Sequence, residues 1–283
     1  DVDASSVVQW LSQRGHPAYR AKQVHRWLYQ GRVGDFDAMV NLPKKLRGEL
    51  SAEFALWAVR IGTSRRADDG TEKLLLRHSD GGQIECVLLR DGHRRSICIS
   101  TQVGCAMGCV FCASGLLGVE RNLSSGEILE QMLHLQRLLA EGDRLSHIVV
   151  MGMGEPLANL DNLLPALDQA ASEEGLGISA RRITISTVGI PAAIRRLGRH
   201  ERHYQLAVSL HAPNDQVRNE LVPVNRKIGL AHILRAADEY FEVSGRRLTY
   251  EYVLLGDVND RAEHARQLAQ VLKGRAALLN VIP

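Results

Sequence analysis

The sequence predicts an α/β protein. A partial (β/α)6 barrel is expected over residues 96–283, with a small helical module over 1–58 and a bridging β-hairpin over 59–95. Three textures along the chain predict it: apolar residues at helical spacing near the start, period-two alternation around an Asp80-Gly-Gly turn, and then a regular repeat of strand and helix. Six strands are too few to close an eight-stranded barrel, so the barrel is expected to be open, with its chemistry at the carboxyl ends of the strands.

Taken in order, Ser5 or Ser6 is placed to cap a first helix carrying Val7, Val8 and Leu11, which Gly15 stops. A second helix from about Tyr19 to Leu28 sets Val24, Trp27 and Leu28 along one side, with Lys22, His25 and Arg26 largely elsewhere. Pro43 suits the first turn of a third, with Leu46, Leu50 and Phe54 at helical spacing. The runs Lys73–His78 and Gln83–Leu89 read as the hairpin. Beyond it the expected strands are Ser96–Thr101, His147–Met151, Arg182–Ser186, Gln205–Ser209, Leu248–Leu254 and Ala277–Ile282. Helices are expected between them at 125–141, 161–173, 190–199, 229–243 and 260–273.

The 283 residues have an ordinary globular composition, 45% hydrophobic and 24% charged, which argues against a disordered or fibrous chain. No apolar run is long enough to span a bilayer and the first residues carry no signal-peptide pattern, so the expectation is a cytoplasmic protein without a membrane partner. A formal net charge of +3 is compatible with a nucleic-acid partner without demanding one. Local basic clusters point the same way: Lys44, Lys45 and Arg47; Arg60, Arg65 and Arg66; Arg94 and Arg95; Arg181 and Arg182; Arg195, Arg196 and Arg199.

The chemistry concentrates in Cys105, Cys109 and Cys112, reading Cys-Ala-Met-Gly-Cys-Val-Phe-Cys. Three thiolates hold three irons of a cubic [4Fe–4S] cluster and leave the fourth open to another ligand, whereas electron-transfer clusters take four cysteines. S-adenosylmethionine (SAM) is the expected occupant of the open iron, and cleavage of its C–S bond yields a 5′-deoxyadenosyl radical. The competing reading is a zinc site in a non-catalytic RNA-binding protein, but zinc takes four ligands and no second cysteine pair exists. The only other cysteines are Cys86 and Cys98, and five is an odd number, so reduced thiols are a simpler reading than disulfides. Met151-Gly-Met-Gly-Glu-Pro-Leu follows the second barrel strand; its glycines let backbone approach a ligand, and Glu155 offers acceptors to an ammonium. The third and fourth strands end in Ser186-Thr-Val-Gly and Ser209-Leu-His-Ala-Pro, short polar groups that suit a ribose or a carboxylate.

Together these segments resemble the RlmN/Cfr-type radical SAM RNA methyltransferases. The resemblance rests on Asp69-Gly-Thr-Glu-Lys-Leu, on the unbroken string from Cys98 to Cys112, on Met151-Gly-Met-Gly-Glu-Pro-Leu-Ala-Asn, and on the two strand ends just quoted. Leu221-Val-Pro-Val-Asn and the amino-terminal Arg20-Ala-Lys-Gln-Val-His-Arg-Trp also match. It covers essentially the whole chain, and it implies methylation of carbon 2 of an adenine in 23S rRNA, and of the adenosine beside the anticodon in some tRNAs. It further implies a radical SAM barrel, a [4Fe–4S] cluster, two SAM molecules, an electron donor such as flavodoxin or ferredoxin, and a monomer. A radical SAM paralogue acting on another substrate is the alternative within the superfamily. A disulfide bond is also among the features the resemblance brings.

By the same resemblance, Cys105, Cys109 and Cys112 hold the cluster, and Gly154, Glu155, Ser186, Ser209, Leu210 and His211 line the SAM site. Cys98 matches the cysteine that resolves a protein–RNA adduct, and Glu85 matches the acceptor of the C2 proton. From the residues alone, Glu85 reads more readily as an exposed strand carboxylate and Cys86 as a small buried hydrophobe. In the family a further helix and a tail with a methyl-carrying cysteine follow the string Leu279-Asn-Val-Ile-Pro. The 283 residues contain no cysteine after Cys112, so the expectation is that such a tail lies outside them.

Overall fold

A computed structural model describes residues 4–116 and 118–283. The chain forms two compact units. One holds the chain up to Ile99 with Leu123–His147 and Asn162–Ser179; the other holds Ser100–Asn122, Ile148–Asp161 and Ala180–Pro283.

The first unit begins with helices α1 (Ala4–Gln13), α2 (Tyr19–Tyr29) and α3 (Lys44–Glu53). Leu11, Val24, Leu46 and Leu50 meet in one apolar cluster with Trp10, Phe36 and Met39, as their spacing predicts. Two details differ from expectation. The first helix is already under way at Ala4, so neither Ser5 nor Ser6 precedes it. Phe54 follows α3 instead of ending it, because the chain turns extended there, and it packs against the cluster edge-on to Trp10.

Next come β1 (Arg60–Arg66), β2 (Glu72–Arg77), β3 (Gln83–Asp91) and β4 (Arg94–Cys98), an antiparallel sheet in chain order. The expected hairpin is therefore the middle of a run of four antiparallel strands, which is part of a longer sheet. Its alternation is clean: Leu74, Leu76, Ile84, Cys86, Leu88 and Ile97 are buried on one face, while Lys73, Arg77, Glu85 and Val87 lie on the other, more open face. Cys86 is thus the buried small hydrophobe expected.

Helices α4 (Ser125–Arg137) and most of α5 (Leu160–Ala171) complete this unit. Ser124 and Glu127 form a reciprocal capping box at the start of α4. Further along, the Glu130 carboxylate accepts from the backbone N–H groups of Ala58 (3.0 Å) and Val59 (2.9 Å), which fastens the link between the helical module and β1.

The second unit opens with a two-stranded antiparallel ribbon, β5 (Gln102–Gly104) with β6 (Val119–Asn122). A parallel ladder follows in the order β7 (His147–Val150), β8 (Ile183–Thr187), β9 (Gln205–Ser209), β10 (Leu248–Val253) and β11 (Ala277–Ile282). Between its strands run α6 (Pro191–Gly198), α7 (Asp215–Leu221), α8 (Asn225–Ile228), α9 (Leu230–Ser244) and α10 (Ala262–Leu272). The strands β9 and β11 match the expected boundaries. The expected Ser96–Thr101 strand is observed as β4, which starts two residues earlier and ends three residues earlier, because Ser100 and Thr101 turn to the loop after β7: Ser100 Oγ accepts from Met153 N (2.8 Å) and Thr101 N donates to Met153 O (2.8 Å). Helices α7 and α8 fall outside the expected helices. Among the described residues no helix is long and apolar enough to cross a membrane.

Candidate cofactor site

The loop between β5 and β6 carries the three cysteines. Its neck is closed by Cys105 N donating to Gly118 O (2.8 Å), and Gly104 allows this because a Cβ there would lie 2.1 Å from that same oxygen. Within the loop Cys112 N donates to Cys109 O (3.1 Å), a tight turn that draws these two cysteines together. Val110 N donates to Leu221 O (3.0 Å), so the end of α7 supports the loop. Cys109 packs with Val188, Leu221 and Val222 into an apolar floor that Met107, Phe111 and Cys112 border.

Burial pushes the Cys109 thiol up to about 12, the neighbouring Cys112 and Cys105 push it the same way, and Arg218 opposes them. Cys105 is raised chiefly by burial, with Cys112 adding to it. Thiols gathered in an apolar pocket are ready for a cationic group that would take their protons' place. Among the described residues no three His, Cys, Asp or Glu side chains close on a single ion. Three thiols on one loop fit a [4Fe–4S] cluster held by cysteine thiolates, and are one ligand short of the four that a structural zinc takes. None of the five cysteines is disulfide-bonded, so the bond that the resemblance brings is not formed here.

The Met151-Gly-Met-Gly-Glu loop lies against β5. Gly154 sits at φ +100°, and a Cβ there would fall 2.7 Å from Gln102 Cβ, so only glycine fits. The Gln102 side chain accepts from Glu155 N (2.8 Å) and donates to Asn122 Oδ1 (2.7 Å), tying this loop to the ribbon. Of the carboxylate and backbone acceptors expected of Glu155, the carboxylate is engaged within the protein. Its carboxylate is not held out to a ligand: it is 2% exposed and accepts from Leu157 N (3.0 Å), Thr187 Oγ1 (2.7 Å) and Val188 N (2.9 Å). Burial raises its pKa while these three donors lower it. It braces the loop against the end of β8.

The other expected SAM-site residues come together at neighbouring strand ends. Ser186 Oγ and Ser209 Oγ are 3.3 Å apart, half-buried, on β8 and β9. Leu210 is fully buried with both main-chain groups engaged, its N–H on Glu251 O (3.0 Å) and its carbonyl on Arg218 Nε (3.1 Å), so it fixes the loop. His211 takes a left-handed φ of +57° and packs edge-on to Phe111, ring centroids 4.8 Å apart. Its Nδ1 accepts from Val253 N (3.2 Å), which puts the proton of the neutral ring on Nε2. Burial, and secondarily Arg218, lowers its pKa to about 4.

Two features of this unit carry little or no sequence signal. Arg218 on α7 is fully buried and donates to the carbonyls of Leu210, Val188 (2.6 Å) and Ser209 (3.0 Å) and to Asn225 Oδ1 (2.5 Å). Glu251 on β10 is buried beside Ser209 on β9 and Asn280 on β11, whose Nδ2 donates to its Oε2 (2.6 Å). One acid inside Leu-Thr-Tyr-Glu-Tyr-Val is the available signal for the second; nothing marks Arg218 apart from other arginines.

Glu85 and Cys98 belong to the first unit. Cys98 pairs directly with Val87 across the β3–β4 ladder, and Glu85 lies two residues from Val87 on the same face, about 7 Å along the strand. The structure brings the two together on the open face of the antiparallel sheet. Lys73 Nζ contacts Glu85 Oε1 at 2.9 Å.

The family profile of the ribosomal RNA large subunit methyltransferase N-terminal domain matches residues 1–56, and that of the radical SAM superfamily matches 99–269. A probable dual-specificity RNA methyltransferase RlmN from Rhodopirellula baltica is 64% identical, the match covering 97% of this chain and 74% of the relative. A protein of the same name from Symbiobacterium thermophilum is 49% identical over 100% of this chain and 76% of its own. The crystal structure of a radical SAM methyltransferase from Sphaerobacter thermophilus superposes with a TM-score of 0.96 at 42% identity, covering 100% of this chain and 84% of the other.

Two outcomes are expected. Glu155→Gln leaves one acceptor oxygen facing three donors and should destabilise the fold by about 1–3 kcal/mol in urea titrations, with SAM affinity falling with it. His211 stays neutral in the fold, so as pH drops below 6.5 the unfolded chain gains a proton that the folded chain does not. Its stabilisation is complete above pH 6.5 and is lost toward pH 4, by up to about 3 kcal/mol. His211→Asn, which keeps an acceptor for Val253 N and tolerates positive φ, should lack that part of the slope in urea titrations at pH 7, 6 and 5.

Proposed function

Because the chain belongs to the RlmN family of radical SAM RNA methyltransferases, we propose that it methylates carbon 2 of adenine in 23S rRNA and tRNA, with a [4Fe–4S] cluster and SAM as cofactors. The observation that carries this reading is the loop of three thiols on an apolar floor, beside a glycine-hinged loop and two serine-bearing strand ends.

Cys105, Cys109 and Cys112 hold the cluster, and Gly154, Ser186, Ser209 and His211 bound the space for SAM, with Glu155 and Leu210 fixing those groups from behind. When bound, the cluster supplies the electron that cleaves the SAM C–S bond. The chain's own residues do the rest. The apolar floor under Cys109 keeps water from the loop. The neutral His211 ring has Nε2–H to donate and carries no charge near the cysteines.

Glu85 accepts the C2 proton that must leave for the adenine to regain aromaticity, and Lys73 holds its Oε1 in place. Cys98, on the same face, would release the product by attacking the sulfur that links protein to RNA: an S–S bond to the tail cysteine forms, the C–S bond breaks, and the methylene carbon keeps the electron pair and takes a proton to become the methyl group. The methyl-carrying cysteine of the family has no counterpart among these 283 residues. A flavodoxin or ferredoxin is the proposed electron donor, the cytoplasm the proposed location and a monomer the proposed state. Residues 1–58 add RNA affinity through Lys22, Arg26, Lys44, Lys45 and Arg47, residues 59–95 bridge, and 96–283 form the barrel.

Anaerobic reconstitution should load about four irons per chain and give an EPR signal that changes on adding SAM. Stoichiometric zinc without iron uptake would sink the assignment. In protein carrying the family's tail cysteine, Cys98→Ala should still cleave SAM but accumulate a covalent protein–RNA species on denaturing gels. Glu85→Gln should stall at the same stage. Free methylated RNA at the wild-type rate from Cys98→Ala would return Cys98 to a packing role.

A further inference from the structure

The open face of the antiparallel sheet carries cations where a sheet ordinarily avoids them. Arg65 on β1 stands directly opposite Lys73 on β2, and Arg60 directly opposite Arg77. Like charges at directly opposed positions destabilise a strand pair. A third such pair, Arg90 with Arg95 across β3 and β4, shows how the fold normally relieves it: Arg90 Nη2 contacts Glu72 Oε1 (2.5 Å) and Arg95 Nε contacts Asp143 Oδ2 (2.9 Å). Among the described residues Arg60, Arg65 and Arg77 have no carboxylate partner, and all three are exposed. Arg77 lies over Gly62, at the bulge in β1, where a side chain would collide with it.

The register connects these cations to the proposed chemistry. Arg65 pairs with Lys73, Lys73 with Val87, and Val87 with Cys98, so one row runs across all four strands from an unpartnered guanidinium to a thiol. The neighbouring row runs from Thr63 through Leu75 to Glu85. Arg65, Arg66, Thr71, Lys73 and Val87 line a cavity of about 380 Å³ at the head of the first row. Cations opposed in pairs, with a basic cavity between β1 and β3, fit a chain of regularly spaced anions.

We propose that this face docks the sugar–phosphate backbone of the substrate RNA, with Arg60, Arg65, Lys73 and Arg77 taking phosphate oxygens so that the target nucleotide arrives over Glu85 and Cys98. The proposal rests on the roles given to Glu85 and Cys98 above. Phosphates relieve the opposed Arg60–Arg77 pair and the Arg65 guanidinium, which has no carboxylate of its own, so RNA binding and sheet stability are coupled.

The test measures binding of a fluorescein-labelled anticodon stem-loop RNA, with adenosine beside the anticodon, as a function of salt. The double variant Arg60→Gln/Arg65→Gln should bind about tenfold more weakly at low salt, and its log–log salt slope should fall by about 2, one for each phosphate no longer neutralised. Its SAM affinity should match the wild type and its thermal midpoint should lie at or above it, since neither side chain has an intramolecular ion pair to lose and each change removes a like-charge pair. Arg60→Lys/Arg65→Lys should restore the slope. Arg199→Gln/Arg266→Gln, with the same change in net charge on exposed residues of the other unit, should leave it unchanged. A wild-type slope in Arg60→Gln/Arg65→Gln, or an equal loss in the Arg199/Arg266 control, overturns the proposal while the functional assignment stands. No RNA binding by the wild type overturns both.

Discussion

One buried guanidinium organises the second unit. Among the described residues Arg218 faces no carboxylate at hydrogen-bonding distance; it meets three carbonyls and one side-chain amide oxygen. A buried charge satisfied only by dipoles fixes its surroundings strictly, because any displaced acceptor leaves an N–H without a partner in a region that water does not reach. Those acceptors are the chain just past β8, the end of β9 and the start of α8. The same helix that carries Arg218 ends at Leu221, whose carbonyl holds the cysteine loop. The serine ends, the His211 turn and the thiols are thus referenced to a single side chain. Its charge is also what moderates the climb of the Cys109 thiol and deepens the fall of His211.

Glu155 makes the complementary arrangement with the opposite charge. Its donors are the backbone of Leu157 and Val188 and the hydroxyl of Thr187, which in turn accepts from Gly189 N (2.9 Å). Arg218 and Glu155 therefore grip the same turn after β8 from two directions, one through Val188 O and the other through Val188 N. A turn held by both its donor and its acceptor has little freedom left, and that suits a strand end that must present Ser186 beside Ser209 in one geometry.

Much of this is legible in the sequence, and the gaps have physical causes. Strands β9 and β11 announce themselves because both are short runs of β-branched or apolar residues. The hairpin is legible from period-two burial around Asp80-Gly-Gly. β1 is not, since Arg-Ile-Gly-Thr-Ser-Arg-Arg has no alternation to read, and it is a strand only because β2 offers it a partner. Helices α7 and α8 are too short to build a periodicity and are split by Pro223. The cysteine triplet is readable because thiolates at close spacing have few other uses. Glu155 stands out in its motif but its task does not, because sequence shows that a carboxylate is present and not which way it faces. Arg218 is invisible: in Asp-Gln-Val-Arg-Asn-Glu-Leu it looks like any solvated helix charge.

The bulged outer strand β1 bears on a different matter, the behaviour of the protein in a crowded solution. A sheet margin exposes a row of unsatisfied N–H and C=O groups that invite another chain to add itself. Every residue of β1 is exposed, and apart from Ile61 the strand carries no large apolar side chain. Its arginines make approach by a second copy electrostatically unfavourable, and the irregularity between Ile61 and Thr63 spoils the straight template that such addition needs. The same charges that make this strand a candidate for polyanions make its open margin a poor template for a second copy of the chain.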